Sequence, residues 1–300
     1  MTIEISFAPG VDVAASVTEW KSGNLMPRLW DKDPTVWFDP PRPEIDNRLG
    51  WLDLPTSSRS LVDDIAALAD DARSEGVTDL VLCGMGGSSL APEVFAHTLP
   101  LADGSPALTV IDSTHPDAVA AVAEATDPST TWYLISSKSG GTLETMSLFR
   151  FFYERATAVL DDPGAHFIAV TDPGSSLEQV AFERGFRATV LADPNVGGRY
   201  SALSAFGLVP AGIIGADVSA LLDSAAAAAK ACGPGVPVAQ NPAFVLGALL
   251  GEAANAGRTV AYFAASPPAE ALPIWAEQLI AESTGKEDKG IVPVDGGHLP

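Results

Sequence analysis

The chain has 300 residues, 47% of them hydrophobic, enough to bury one large or two medium cores and too apolar for a disordered polymer. Its 38 acidic and 17 basic residues leave a net charge of −21, which excludes nucleic acid or an anionic membrane surface as the expected partner. Any anionic ligand must be held by local donors against an unfavourable overall field.

The opening MTIEISFAPG has neither the basic nor the apolar region of a secretory leader, and eighteen apolar residues never run together. A cytoplasmic protein is expected. Residues 1–55 set Pro27, Pro34, Pro40, Pro41, Pro43 and Pro55 among Trp20, Trp30, Trp37, Phe38 and Trp51. The prolines exclude long helices and the aromatics exclude a free tail, which predicts a segment packed on the main domain. Residues 56–235 then become regular. Leu61, Ile65, Leu68, Ala69 and Ala72 share one helical stripe that Gly76 stops. Short apolar strands at 79–83, 107–111, 132–135, 167–170 and 188–191 alternate with helical stretches at 88–97, 116–125, 142–159 and 175–184.

Five short strands separated by helices predict an α/β fold, a doubly wound, five-stranded parallel sheet of flavodoxin-like type buried on both faces. With strand order 2-1-3-4-5, the loops after the first and third strands are neighbours at the switch point and face one crevice. After residue 191 a loop, DPNVGGRYS, leads to helices from Leu203, Asp217 and Gln240. Pro234, Pro237 and Pro242 mark a boundary. Residues 236–300 read as the start of a second α/β unit, with strands at 259–264 and 290–294 around a helix at 269–283.

Chemistry concentrates in the loops. In WYLISSKSGGTLET (132–145) a strand ends in small, hydroxylated residues and one lysine before a helix begins. Ser137, Lys138, Ser139 and Thr142 supply donors, and Gly140 and Gly141 let backbone N–H groups reach an anion. The pattern suits a phosphoryl group, with a plain tight turn as the alternative. CGMGGSSLAP (83–92) also permits close backbone approach, with Ser88 or Ser89 as a helix cap or a ligand for a hydroxyl, but it lacks the full dinucleotide fingerprint. Arg199, set among Gly197, Gly198 and Tyr200, reads as a positioned cation or a solvated loop residue. On the helix at 269–283, Leu272, Trp275, Ala276, Leu279 and Ile280 form the stripe expected to be buried, and Glu277 points away from it. Glu282 lies on its flank, where partial burial would suit a general base. The aromatic run 146–153 reads as core packing. The four histidines show no ligand spacing, and Cys83 and Cys232 read as buried thiols, so neither a metal nor a disulfide is expected.

Taken together, GMGGSSLAP, SSKSGGTLET, VGGRYSALSAFGLVPA and EQLIAESTGKE resemble the glucose-6-phosphate isomerase family over nearly the whole chain. They look most like its actinobacterial-type form, also found fused to transaldolase. The resemblance implies two sugar-isomerase (SIS) α/β subdomains, a sugar phosphate substrate, no cofactor and a homodimer for the full-length enzyme. It implies that Ser137, Lys138, Ser139 and Thr142 hold the phosphate, and that Gly87 and Ser88 lie beside the sugar. Arg199 would stabilise an enediolate and Glu282 would move the proton between C1 and C2. Family members also use a ring-opening histidine and a lysine near the C-terminus. Neither has a counterpart here, and His298 falls outside the family's histidine motif, so the chain is expected to be the front portion of a longer enzyme and inactive by itself. A non-catalytic phosphosugar-binding module and an isomerase for another sugar phosphate are the competing readings.

Overall fold

The computed structural model describes residues 11–267 and 269–298. The expectation of no secretory leader falls on residues 1–10, and with Pro300 it lies outside the described residues. Three short helices, α1 (Ala14–Ser22), α2 (Leu25–Trp30) and α3 (Leu54–Ser57), interrupt the proline-rich segment. Its aromatics tie it down: the Trp20 ring lies 5.1 Å from Phe244, and Trp30 Nε1 donates to the Cys232 carbonyl at 3.2 Å.

α4 (Val62–Ser74) buries Ile65, Leu68, Ala69 and Ala72, and the chain reverses at Gly76, whose φ of +70° suits glycine. The domain then runs β1 (Asp79–Gly84), α5 (Leu90–Thr98), β2 (Ala107–Ile111), α6 (Pro116–Ala125), β3 (Thr131–Ser136), α7 (Leu143–Thr157), β4 (Phe167–Thr171), α8 (Ser176–Glu183) and β5 (Ala188–Leu191). The strands pair in parallel in the order β2-β1-β3-β4-β5. This is the doubly wound sheet that the alternation predicts. Successive residues of a strand face opposite sides, so Leu80, Leu82, Trp132 and Leu134 join one core layer while Val81, Cys83, Tyr133 and Ile135 join the other. Both layers are filled, which is why the strands read as unbroken apolar runs.

α9 (Ala205–Ile213) is buried on every side, packed against α4 and α5, and is followed by α10 (Val218–Ala231) and α11 (Pro242–Asn255). In the last part of the chain β6 (Val260–Ala265) and β7 (Val292–His298) form a parallel pair, and α12 (Leu272–Thr284) crosses between them. Val260, Tyr262, Val292 and Val294 are exposed. The stripe expected on α12 is thinner than its sequence suggests: Pro273 and Ala276 are buried, but Leu272 is exposed, because two strands offer little surface to a helix of 13 residues. Cys83 is buried in β1, and burial pushes its thiol pKa up, whereas Cys232 is only half-buried and corrects the expectation of two buried thiols. No helix among the described residues is long and apolar enough to cross a membrane.

One acidic tie in the proline-rich segment is sensitive to pH. Asp33 accepts from the Thr35 hydroxyl at 2.5 Å and from Arg28 Nε at 2.7 Å, and these bonds hold its carboxyl down at about 2. A carboxylate with a lowered folded-state pKa stabilises above its unfolded value of 3.8, and that share is lost as pH falls through the folded value. The thermal midpoints of the parent and of Asp33→Asn should therefore differ by a constant amount above about pH 5 and converge as pH falls from about 4 to 2. A gap that persists in acid would show that the charge is not the stabilising feature.

Candidate active site

β1 and β3 pair in register so that Gly84 lies opposite Ser136, and both chains leave the sheet at the same edge. The loop after β3 is built on Gly140, whose φ is +71° and where a Cβ would lie 2.5 Å from the Leu177 backbone nitrogen. Only glycine fits there. Ser137 is buried with its hydroxyl 3.0 Å from that of Thr142, and Ser139 Oγ accepts from the Gly141 N–H at 3.2 Å. Thr142 precedes the first turn of α7, whose N–H groups have no partner within the helix, so hydroxyls and backbone donors lie together on this turn.

Lys138 departs from the expected pattern. Its ammonium pairs with Asp172 Oδ2 at 2.5 Å and donates to the Pro194 carbonyl at 3.0 Å, so the side chain is spent on two neighbouring loops. In this structure the ammonium expected to donate to a bound anion alongside the hydroxyls therefore stands beside a carboxylate.

The loop after β1 meets a different neighbour. A Cβ on Gly87 would lie 2.1 Å from the Gly198 carbonyl oxygen, so the two backbones are in contact, and Ser201 Oγ fastens them by donating to Gly87 O at 3.0 Å and Gly198 O at 2.6 Å. Ser88 is half-buried beside Gly84 in the same turn. Gly86, with φ +54°, faces the amide of Gln278 on α12. One corner therefore receives three parts of the chain that are distant in sequence.

Arg199 occupies that corner. Its Nη1 donates to Glu282 Oε1 at 3.0 Å and its Nε to Ser283 Oγ at 2.8 Å, while the Tyr200 hydroxyl lies 3.0 Å from the same Ser283 oxygen. Trp51, from the proline-rich segment, stacks on the Tyr200 ring with centroids 5.6 Å apart. Gln278 Nε2 approaches the other Glu282 oxygen at 3.4 Å, and Gln278 Oε1 is buried without a hydrogen-bond partner. Glu282 is partly buried, its side chain 49% exposed, and it is paired with Arg199. A carboxylate held by its flanks can take a proton from a bound molecule, and the adjoining guanidinium can stabilise an oxyanion.

The structure thus joins Gly87, Arg199 and Glu282 directly and sets the 137–142 loop next to them through the β1–β3 pairing. Nothing in the sequence reading assigns Gln278, Ser283, Tyr200 or Trp51 to the site. Gln278 precedes Glu282 by one helical turn, a spacing that puts both on one face and could have revealed it. Nothing local marks Trp51. A hollow of about 610 Å³, largely apolar and lined by Trp20, Trp30, Trp51 and Phe244, shares Trp51 with this corner.

A doubly wound parallel sheet with two glycine–serine loops at its switch point and a carboxylate–guanidinium pair beside them defines an α/β protein with a candidate site at the carboxyl ends of its strands. The phosphoglucose isomerase family model matches residues 59–295, and the chain belongs to that family. It is 33% identical over 295 residues to a glucose-6-phosphate isomerase of Rubrobacter xylanophilus, covering 94% of this chain and 66% of that protein. It is 32% identical to one of Thermosynechococcus vestitus, covering 91% and 52% respectively. The chain therefore spans about half to two thirds of the length of these curated relatives. Among solved structures, a hypothetical protein of Thermus thermophilus superposes with a TM-score of 0.78 at 28% identity, over 95% of this chain and 66% of that one. A glucose-6-phosphate isomerase of Chlamydia trachomatis shares the fold with a TM-score of 0.70 at 23% identity, over 92% and 53%.

The contact between Gly87 and Gly198 is open to a direct test. Gly87→Ala forces a methyl group against a carbonyl oxygen and should destabilise the protein by about 1–3 kcal/mol in urea unfolding, the usual cost of overpacking. Gly198→Ala, whose Cβ would meet nothing within 4 Å, should leave stability nearly unchanged and serves as the control. Equal effects would mean that the two loops are not in fixed contact.

Proposed function

We propose that this chain forms the phosphate-binding and proton-transferring part of a glucose-6-phosphate isomerase. The observation that carries the reading is the Arg199–Glu282 pair, 3.0 Å apart, at the corner where the Gly87 loop meets α12. A binding module needs a phosphate cradle but neither a base nor an oxyanion partner, and this pair favours the enzyme over a non-catalytic phosphosugar-binding domain.

In this reading the substrate phosphate sits against Ser137, Ser139, Thr142 and the first turn of α7, where the helix dipole contributes roughly 0.3–2 kcal/mol besides the hydrogen bonds. Gly87 and Ser88 border the sugar. Glu282 removes the proton from C2 of the open-chain aldose. The electron pair of that C–H bond forms the C1–C2 double bond, and the aldehyde oxygen becomes an oxyanion that Arg199 stabilises. Return of that proton to C1, with transfer of the O2 proton to the O1 oxyanion, turns C2–O2 into the carbonyl and C1–O1 into a hydroxyl and so yields the ketose. Neither electrons nor atoms leave the substrate. The relatives carry a further stretch that this chain does not span, and the ring-opening histidine and the C-terminal lysine of the resemblance are assigned there. The same reading takes the chain as the N-terminal portion of an actinobacterial, transaldolase-fused type of enzyme, homodimeric and cytoplasmic.

Two experiments separate binding from chemistry. Replacing Ser137 and Thr142 together by Ala should weaken binding of a sugar-phosphate analogue by about tenfold or more in calorimetry, since each lost hydrogen bond to a charged group is worth about 1.5–3 kcal/mol. Unchanged affinity would remove that loop from the site. In a polypeptide extended to the length of the relatives, Glu282→Gln should preserve analogue affinity while cutting turnover by about 10²- to 10⁴-fold, the usual contribution of a general base. Exchange of the substrate C2 hydrogen in deuterated water gives the direct readout. Exchange at the parent rate in the Gln variant would assign the base elsewhere.

A further inference from the structure

The strand-end loops of this site are joined by a lysine that the mechanism leaves unused. Lys138 follows Ser137 in the 137–142 loop. Its ammonium reaches sideways to Asp172, just beyond the end of β4, and on to the carbonyl of Pro194. The Asp172 N–H returns to Lys138 O at 3.2 Å, and the Thr171 hydroxyl donates to Ser137 O at 2.7 Å, so β3 and β4 are also fastened by main chain at this point. Pro194 belongs to the turn in which Val196 N donates to Asp193 O at 3.1 Å, and from that turn the chain passes through Gly197 and Gly198 to Arg199.

The environment is unlike that of an anion-binding lysine. The Lys138 and Asp172 side chains are 27% and 16% exposed, so the pair is largely shielded from water and the cation is matched by a full opposite charge. Turning the ammonium towards a phosphate would strand the Asp172 carboxylate, whose second oxygen is already buried without a hydrogen-bond partner. Removing one member of a buried pair is costly because the other is left uncompensated. The hydroxyls and N–H groups of the same loop are neutral and need no such exchange.

We propose that Lys138 is a positioning residue: through Asp172 and the Pro194 carbonyl it ties the phosphate loop to the turn that carries Arg199, and so sets where the guanidinium stands relative to a phosphate held by Ser137, Ser139 and Thr142. The proposal rests on the isomerase reading for the roles of phosphate and Arg199, but the tie itself does not. It deepens that reading by assigning the family loop's lysine to the alignment of two subsites instead of to the anion.

The test uses the 300-residue chain, its Lys138→Met, Lys138→Arg and Asp172→Asn variants, and inorganic phosphate as the probe. Calorimetry reads phosphate affinity. Hydrogen exchange across residues 193–201, with the NMR signal of the Arg199 Nε–H that donates to Ser283, reads the placement of the arginine. Circular dichroism confirms that each variant is folded. For Lys138→Met and Asp172→Asn alike, phosphate affinity should stay within about threefold of the parent while exchange at 193–201 rises at least tenfold and the Nε–H signal shifts or broadens. Lys138→Arg, which keeps the charge and can reach both acceptors, should restore the parent pattern. A loss of phosphate affinity beyond tenfold in Lys138→Met with unaltered exchange would make the lysine a ligand and overturn the proposal. Unaltered exchange in Asp172→Asn would overturn it too. If the parent chain fails to bind phosphate, the isomerase reading loses its anion site, while the exchange measurements still decide whether the tie exists.

Discussion

The contact on which this site depends is the meeting of two backbones at Gly87 and Gly198. A parallel sheet delivers loops to one edge, but it does not bring a loop that follows the fifth strand into contact with one that follows the first. Here the absence of a side chain at Gly87 permits it, and the Ser201 hydroxyl, shared between the two carbonyls, fastens the approach. Arg199 is then one residue from the contact and α12 lies within its reach. A larger residue at position 87 would displace the arginine and leave the fold of either neighbour intact.

Electrostatics follow from the same geometry. The chain is strongly acidic, yet the region assigned to an anion contains a guanidinium, hydroxyls and a helix N-terminus. Two positive groups nearby are matched by carboxylates: Arg199 by Glu282, Lys138 by Asp172. Such a site attracts an anion through short-range donors more than through a broad positive field, which favours selectivity of position over speed of capture. The half-exposure of Glu282 belongs to this arrangement. The carboxylate is held by its neighbours and remains open to a molecule entering from solvent.

Much of the fold was legible because the signals were local. Strands 107–111 and 188–191 begin and end where the apolar runs do, and the order 2-1-3-4-5, one of the orders open to a doubly wound sheet, is the one that forms. The neighbourhood of the two glycine–serine loops was likewise a matter of topology. What escaped notice was tertiary. Trp51 supports Tyr200 from a segment whose sequence shows only that it must be packed somewhere. Lys138 carries a charge of the right sign in the right loop, and its pairing with Asp172, just beyond the end of β4, is a contact that only the tertiary structure reveals. The α12 stripe failed for the opposite reason: periodicity reports what a helix can bury, while the amount buried depends on how much surface lies opposite.

The outer face of the β6–β7 pair carries a consequence for handling the protein. Val260, Tyr262, Val292 and Val294 present a sticky strip next to strand edges that can pair with another chain. Between copies, that attraction is opposed by the mutual repulsion of molecules each bearing a charge of −21. The repulsion extends over a Debye length, about 30 Å at 0.01 M salt and about 8 Å at physiological ionic strength. Colloidal stability of this chain is therefore a matter of ionic strength: dilute buffer keeps the strips apart, and added salt lets them meet.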